Sequence, residues 1–84
     1  MKTQKLIDPR QIPTTFDVAA IRAKMRYRYR CYTQEEFARS IGVPVATLRQ
    51  WEQRRRQPTG AARVLLALLD REPALLERIL DVGA

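Results

Sequence analysis

Gly42 and Pro44, two residues apart inside an apolar-periodic stretch, constrain the fold of this chain more than any other feature. One helix does not run through that pair. Gly takes the left-handed conformation that ends a helix, and Pro suits the first turn of a new one. Upstream, Thr33 is a good N-cap. Glu36 stands three residues on, as a capping box requires, and Tyr32 and Phe37 flank the cap at staple spacing. Phe37, Ala38 and Ile41 make one apolar face. Downstream, Val45, Leu48 and Trp51 fall on one side of a second short helix. Ala46, Thr47, Arg49, Gln50 and Gln53 are left on the other. Thr33 to Gln53 therefore reads as two short helices joined by a sharp turn.

Two helices, a Gly-containing turn and an outer face of Arg, Gln and Thr make the helix-turn-helix pattern. Through Gln34, Phe37, Ala38, Gly42, Val43, Leu48 and Trp51 the chain resembles the Cro/repressor-like (Xre) family of DNA-binding domains. The longer run FARSIGVPVATLRQWEQRRRQPTG is similar to the HigA-type antitoxins within that family, and the likeness extends from about Asp17 to Leu80. The resemblance implies an all-α, lambda-repressor-like domain of five helices. It implies a structural ion pair between Arg22 on the first helix and Glu52 at the end of the second motif helix. It also implies a partner, a small ribosome-dependent mRNA-cleaving toxin of the HigB/RelE type, neutralised by a protein that represses its own operon.

Composition narrows the remaining classes. With 84 residues and 45% hydrophobic content, the chain suits one globular domain near the lower limit for a self-sufficient core. Sixteen Lys and Arg against nine acids give +7, which points to a polyanionic partner. Cys31 is the single cysteine and there is no histidine, so neither a disulfide nor a zinc site is expected, and no cofactor. Paired carboxylates in a pocket and a Gly-rich phosphate loop are both missing, which argues against an enzyme. Glu35, Glu36, Asp70 and Glu72 fall at helix ends, where capping accounts for them. Apolar runs such as Val64–Leu69 are far too short to span a membrane, and Met1–Thr15 lacks the apolar core of a signal peptide. A cytoplasmic location is expected.

Residues 1–15 read as an extended or mobile arm and 16–84 as the helix-turn-helix domain. Pro9 and Pro13 keep the arm extended, and Leu6, Ile7 and Ile12 are its large apolar residues, suited to anchoring on the toxin. Asp17 caps the first helix, with Phe16 and Ile21 at staple spacing and Ile21 and Met25 facing inward. Arg26–Tyr32, RYRYRCY, stands where the resembled family has a short Gly-containing link. A first helix reaching Arg26 or beyond, followed by a turn, is the favoured reading. An irregular basic loop and an edge strand, which Arg–Tyr alternation suits, are the others. Its tyrosines either stack on bases beside phosphate-holding arginines or cover a core edge. Arg54 stands where the family usually has Gly, so a helix that runs on or ends less tightly is expected there. Thr59 can cap a fourth helix, Ala61–Asp70, with Val64, Leu65, Leu68 and Leu69 as its apolar stripe. Glu72-Pro73 opens a fifth helix carrying Leu75, Leu76, Ile79 and Leu80, for the core first and a dimer patch with any remainder.

Base reading needs side chains that reach the major groove from a helix. Arg49 pairs well with guanine and Gln50 with adenine, while Ala46 and Thr47 suit contact with thymine methyls. Gln53 lies one turn further on. Gln34, at a helix start, favours a phosphate, a role the resemblance also implies. Arg54, Arg55 and Arg56 suit phosphates beside the groove, or form a solvated basic loop. Trp51 belongs to the core by its spacing from Leu48. The expected partner is double-stranded DNA, a near-palindromic operator read by a homodimer. A free-standing or phage-borne repressor without a toxin, and a helical adaptor that binds only protein, are the competing readings.

Overall fold

The computed structural model describes residues 12–27 and 29–80. Among these, five helices follow in order: α1 (Val18–Lys24), α2 (Gln34–Ile41), α3 (Val45–Glu52), α4 (Gly60–Arg71) and α5 (Leu75–Leu80). A small antiparallel hairpin of β1 (Arg26–Tyr27) and β2 (Arg30–Cys31) links α1 to α2. The architecture is the all-α, lambda-repressor-like one, with this hairpin as an insertion. Leu6 and Ile7 of the arm lie outside the described residues. Ile12 is half-buried and packs against the core.

The two helices of the motif start and stop for identifiable reasons. Thr33 Oγ1 accepts the Glu36 N–H at 3.1 Å, and Glu36 Oε1 accepts the Thr33 N–H at 2.9 Å, which completes the capping box. Tyr32 and Phe37 meet edge to face over it, centroids 6.2 Å apart. α2 ends at left-handed Gly42 (φ 80°), with the Val43 N–H donating to the Ala38 carbonyl. Pro44 occupies the N-cap of α3, and its carbonyl accepts the N–H groups of Thr47 and Leu48.

The end of α3 corrects an expectation. With Arg54 in place of Gly the helix closes tightly rather than loosely. Arg54 adopts the left-handed region (φ 63°), its N–H donates to the Trp51 carbonyl at 3.1 Å, and the Arg55 N–H donates to the Gln50 carbonyl at 2.9 Å. These bonds form a Schellman closure around a residue that carries a β-carbon.

The core is a single cluster. Phe37, Met25, Leu48, Leu66, Leu69 and Val18 are essentially inaccessible, and Phe16, Ile21, Tyr32, Ala38, Trp51, Ala67 and Leu76 join them. Burying each such large side chain contributes about 1.5–3 kcal/mol. α1 packs on α3 and α4, and α2 on α3, so the motif rests on a scaffold made by the other helices. At the start of α1, Asp17 accepts the Ala20 N–H at 3.1 Å.

Two further readings need correction. The first helix does not reach Arg26: it ends at Lys24, and Met25 is extended (φ −93°, ψ 145°). Residues 26–30 offer no apolar stripe at three- or four-residue spacing, whereas their period-two alternation fits a strand pair. Arg26 faces Cys31 and Tyr27 faces Arg30. Turning back in this way puts Met25 and Tyr32 in the core together, 1% and 4% exposed. The hairpin is tied down by an Arg30–Glu36 fork, 2.7 Å at each tine, and by the Cys31 thiol donating to the Ala23 carbonyl at 3.3 Å.

In α4 the buried residues are Leu66, Ala67 and Leu69, with Ala62 and Leu65 packed at the edge of the core and Val64 40% exposed. Val64 is about 200° around the helix from Leu66, so it cannot share that stripe. Thr59 holds the N-cap position of α4 but its hydroxyl makes no capping bond. In α5, Leu76 is buried and Leu75 half-buried. The side chains of Ile79 and Leu80 fall outside the described part.

Candidate nucleic-acid interface

α3 is pinned by one side and presents the other. Leu48 and Trp51 are 0% and 6% exposed. On the opposite side Ala46, Arg49 and Gln53 are exposed and Gln50 is half-buried, while Thr47, also half-buried, lies on the flank one turn before Trp51. Arg54, Arg55 and Arg56 follow as an exposed basic turn. Arg54 pairs with Asp17 at 3.2 Å. Arg55 and Arg56 have no side-chain partner among the described residues. Two residues that the sequence reading did not single out hold this turn in place. Gln57 Oε1 accepts the Phe16 N–H at 3.1 Å, and Pro58 is fully buried.

Behind the exposed face runs a polar relay. Arg22 donates to Glu52 through Nε (2.6 Å) and Nη2 (2.9 Å), and through Nη1 to the Tyr32 carbonyl (2.9 Å). Gln34 Nε2 donates to the same Glu52 at 2.9 Å, and Gln34 Oε1 accepts from Arg49 Nε at 3.2 Å. Arg49 Nη2 also pairs with Glu35 Oε2 at 3.0 Å. The chain of contacts thus runs from α1, across Glu52, to the first residue of α2 and back to the outer face of α3.

The electrostatics follow from these contacts. The Arg22 and Glu52 side chains are 23% and 7% exposed. The Glu52 hydrogen bond holds the Arg22 guanidinium above its ordinary pKa. Burial pushes the Glu52 carboxyl up, but hydrogen bonds from Arg22 and Gln34 and the Arg22 charge outweigh it, so its pKa is lowered. The fork from Arg30, with the Thr33 N–H, lowers Glu36 to about 2.

Two consequences bear on the candidate DNA-contacting residues. Gln34 has its oxygen aimed at Arg49 and one N–H at Glu52, so a single N–H remains for a phosphate. Arg49 is engaged, by Glu35 and Gln34, rather than free. The acids explained above by helix ends also have cationic partners: Glu35 holds Arg49, Asp70 holds Lys24 and Glu72 holds Arg78. These pairs join distant parts of the chain or cross a helix break, so sequence spacing gives no signal for them. No helix among the described residues is long and apolar enough to cross a membrane.

Comparison with known proteins agrees with this geometry. The uncharacterized HTH-type transcriptional regulators YiaG of Escherichia coli K12, O6:H1 and O157:H7 are each 38% identical over 47 residues. That stretch covers 56% of this chain and 49% of each relative, so the chain spans about half the length of the curated relatives it matches. No solved structure gives a significant match. A family described as helix-turn-helix matches residues 28–69, half of the chain, from the hairpin to the buried end of α4. The chain belongs to the helix-turn-helix family.

Proposed function

We propose that the protein is a sequence-specific DNA-binding transcriptional regulator that reads the major groove with α3. The observation that carries this reading is the division of α3 itself. Leu48 and Trp51 fix one side in the core, while Arg49, Gln50 and Gln53 stand on the other and the Arg54–Arg56 turn follows directly. Arg49 and Gln50 have the donors and acceptors for guanine and adenine, and Ala46 and Thr47 the methyl surface for thymine. Gln34 and the three arginines would position the domain on phosphates. Relatives named as HTH-type transcriptional regulators support this level of the reading.

In its finer form the protein is a HigA-type antitoxin that neutralises a HigB/RelE-type toxin in the cytoplasm and represses its own operon. The run Phe37–Gly60 supports this through its resemblance to that group. It would bind a near-palindromic operator as a homodimer, with half-sites about one helical turn apart. Val64, 40% exposed, and half-buried Leu68 and Leu75 supply apolar surface for a second copy. The toxin would dock on the arm of residues 1–15. Because Ile12 packs on the protein's own core, Leu6 and Ile7 are the arm's anchors for that partner. A free-standing repressor is the second reading, favoured by relatives named as regulators alone.

Three measurements on the full chain and on a chain lacking residues 1–15 separate these readings: selection of duplexes from a random pool, sedimentation, and toxin pull-down. Selective duplex binding by a dimer, with toxin binding lost on truncation, is expected. Failure to select any duplex would leave the protein-binding adaptor. Full toxin binding by the truncated chain would move the toxin site to the helical body.

A further inference from the structure

We propose that Glu35 is an intramolecular competitor for Arg49, a brake that DNA must displace. The proposal rests on α3 being the DNA-reading helix. The two residues come from different helices and meet across the motif, Arg49 Nη2 to Glu35 Oε2 at 3.0 Å, and Arg49 Nε leans on Gln34 Oε1 at 3.2 Å. The guanidinium is therefore drawn back over the start of α2, away from a groove facing α3. Gln34 cannot follow Arg49 outward, because its amide is held by Glu52, which is itself gripped by Arg22. An Arg49 that extends to a base must give up both contacts.

The exchange is feasible because it is shallow. The Arg49 and Glu35 side chains are 45% and 58% exposed, so water screens the pair and its strength is modest. Guanine offers two acceptors in the plane that suits a guanidinium fork, whereas Glu35 takes one nitrogen of it. The carboxylate sits on the first turn of α2, the helix end where a phosphate is expected, so it opposes the same polyanion twice: directly, and by occupying Arg49. Only the second effect passes through Arg49, and that makes the two separable.

The test is a double-mutant cycle on a duplex selected by the wild-type protein, with Glu35→Gln, Arg49→Ala and the double variant measured at low salt. Both side chains are exposed, and circular dichroism of each variant checks that it folds. Glu35→Gln is expected to tighten binding about threefold more in the wild-type background than in the Arg49→Ala background. That difference should shrink as salt is raised. An equal gain in both backgrounds, or no gain from Glu35→Gln, overturns the brake and leaves the DNA-reading role intact. If neither wild type nor Glu35→Gln selects any duplex from a random pool in the first place, the DNA-reading role fails and the brake with it.

Discussion

Arg54 holds a backbone conformation that a β-carbon disfavours, at the point where α3 must stop. Gly42 holds the same conformation at the end of α2, with open space around the position of an added β-carbon. The two substitutions should therefore have opposite signs. Arg54→Gly is expected to stabilise the fold by about 0.5–1 kcal/mol, and Gly42→Ala to destabilise it by about 1 kcal/mol. Thermal unfolding of both variants reads this. A drop in melting temperature for Arg54→Gly would show that its exposed pair with Asp17 outweighs the backbone term. The charge of Arg54 is used in its pair with Asp17, and the proposed phosphate contact would use it again. Glu52 gives the other stability test at this level. Glu52→Ala leaves Arg22 short of its partner and Gln34 half-satisfied, and should cost about 3 kcal/mol. An unchanged melting temperature would remove Arg22–Glu52 as a structural pair. The residues of this pair were legible through family resemblance alone. The shares of Gln34 and the Tyr32 carbonyl were not, because tertiary packing brings them to Glu52.

The elements with strong local signals were legible from the sequence. Thr33, Glu36 and Gly42 mark both ends of α2 by capping chemistry that needs no distant contact. In Arg26–Tyr32 the favoured longer helix is wrong, and the strand that the Arg–Tyr alternation also suited forms, as half of a short hairpin that returns Tyr32 to the core. The α4 stripe was legible in part: Leu65 and Leu69 pack on the core as expected, Val64 is exposed, and Leu66 and Ala67 were missed because the consecutive apolar residues give several faces among which packing on α1 selects. Tyr32→Ala should cost about 3 kcal/mol, through a cavity beside Phe37 and the loss of the hairpin's apolar anchor. A cost below that of an exposed substitution would show the hairpin to be an appendage. The Arg30–Glu36 fork adds a pH dependence. Glu36 falls from an ordinary 4.5 to about 2 in the folded protein. Its stabilisation is then fully present above the ordinary value and is lost as pH falls from there towards 2. Acid titration of stability should be shallower in that window for Glu36→Gln. An unaltered acid profile would mean that the fork does not persist in solution.

The whole molecule is a small helical scaffold that holds one helix at its surface with a basic turn behind it. Reading bases and gripping phosphates are different tasks, and the proposed function gives them to different places: Gln50 on the face of α3, Arg55 on the turn. Binding of wild type, Gln50→Ala and Arg55→Ala to a selected operator and to randomised duplexes, across a range of salt, separates them. Gln50→Ala is expected to lose preference at one or two base positions by about 1–3 kcal/mol, with its salt dependence unchanged. Arg55→Ala should weaken binding to every sequence alike and lower the salt slope by about one phosphate contact. Equal losses across randomised DNA for Gln50→Ala would contradict the reading of α3 as the element that recognises sequence.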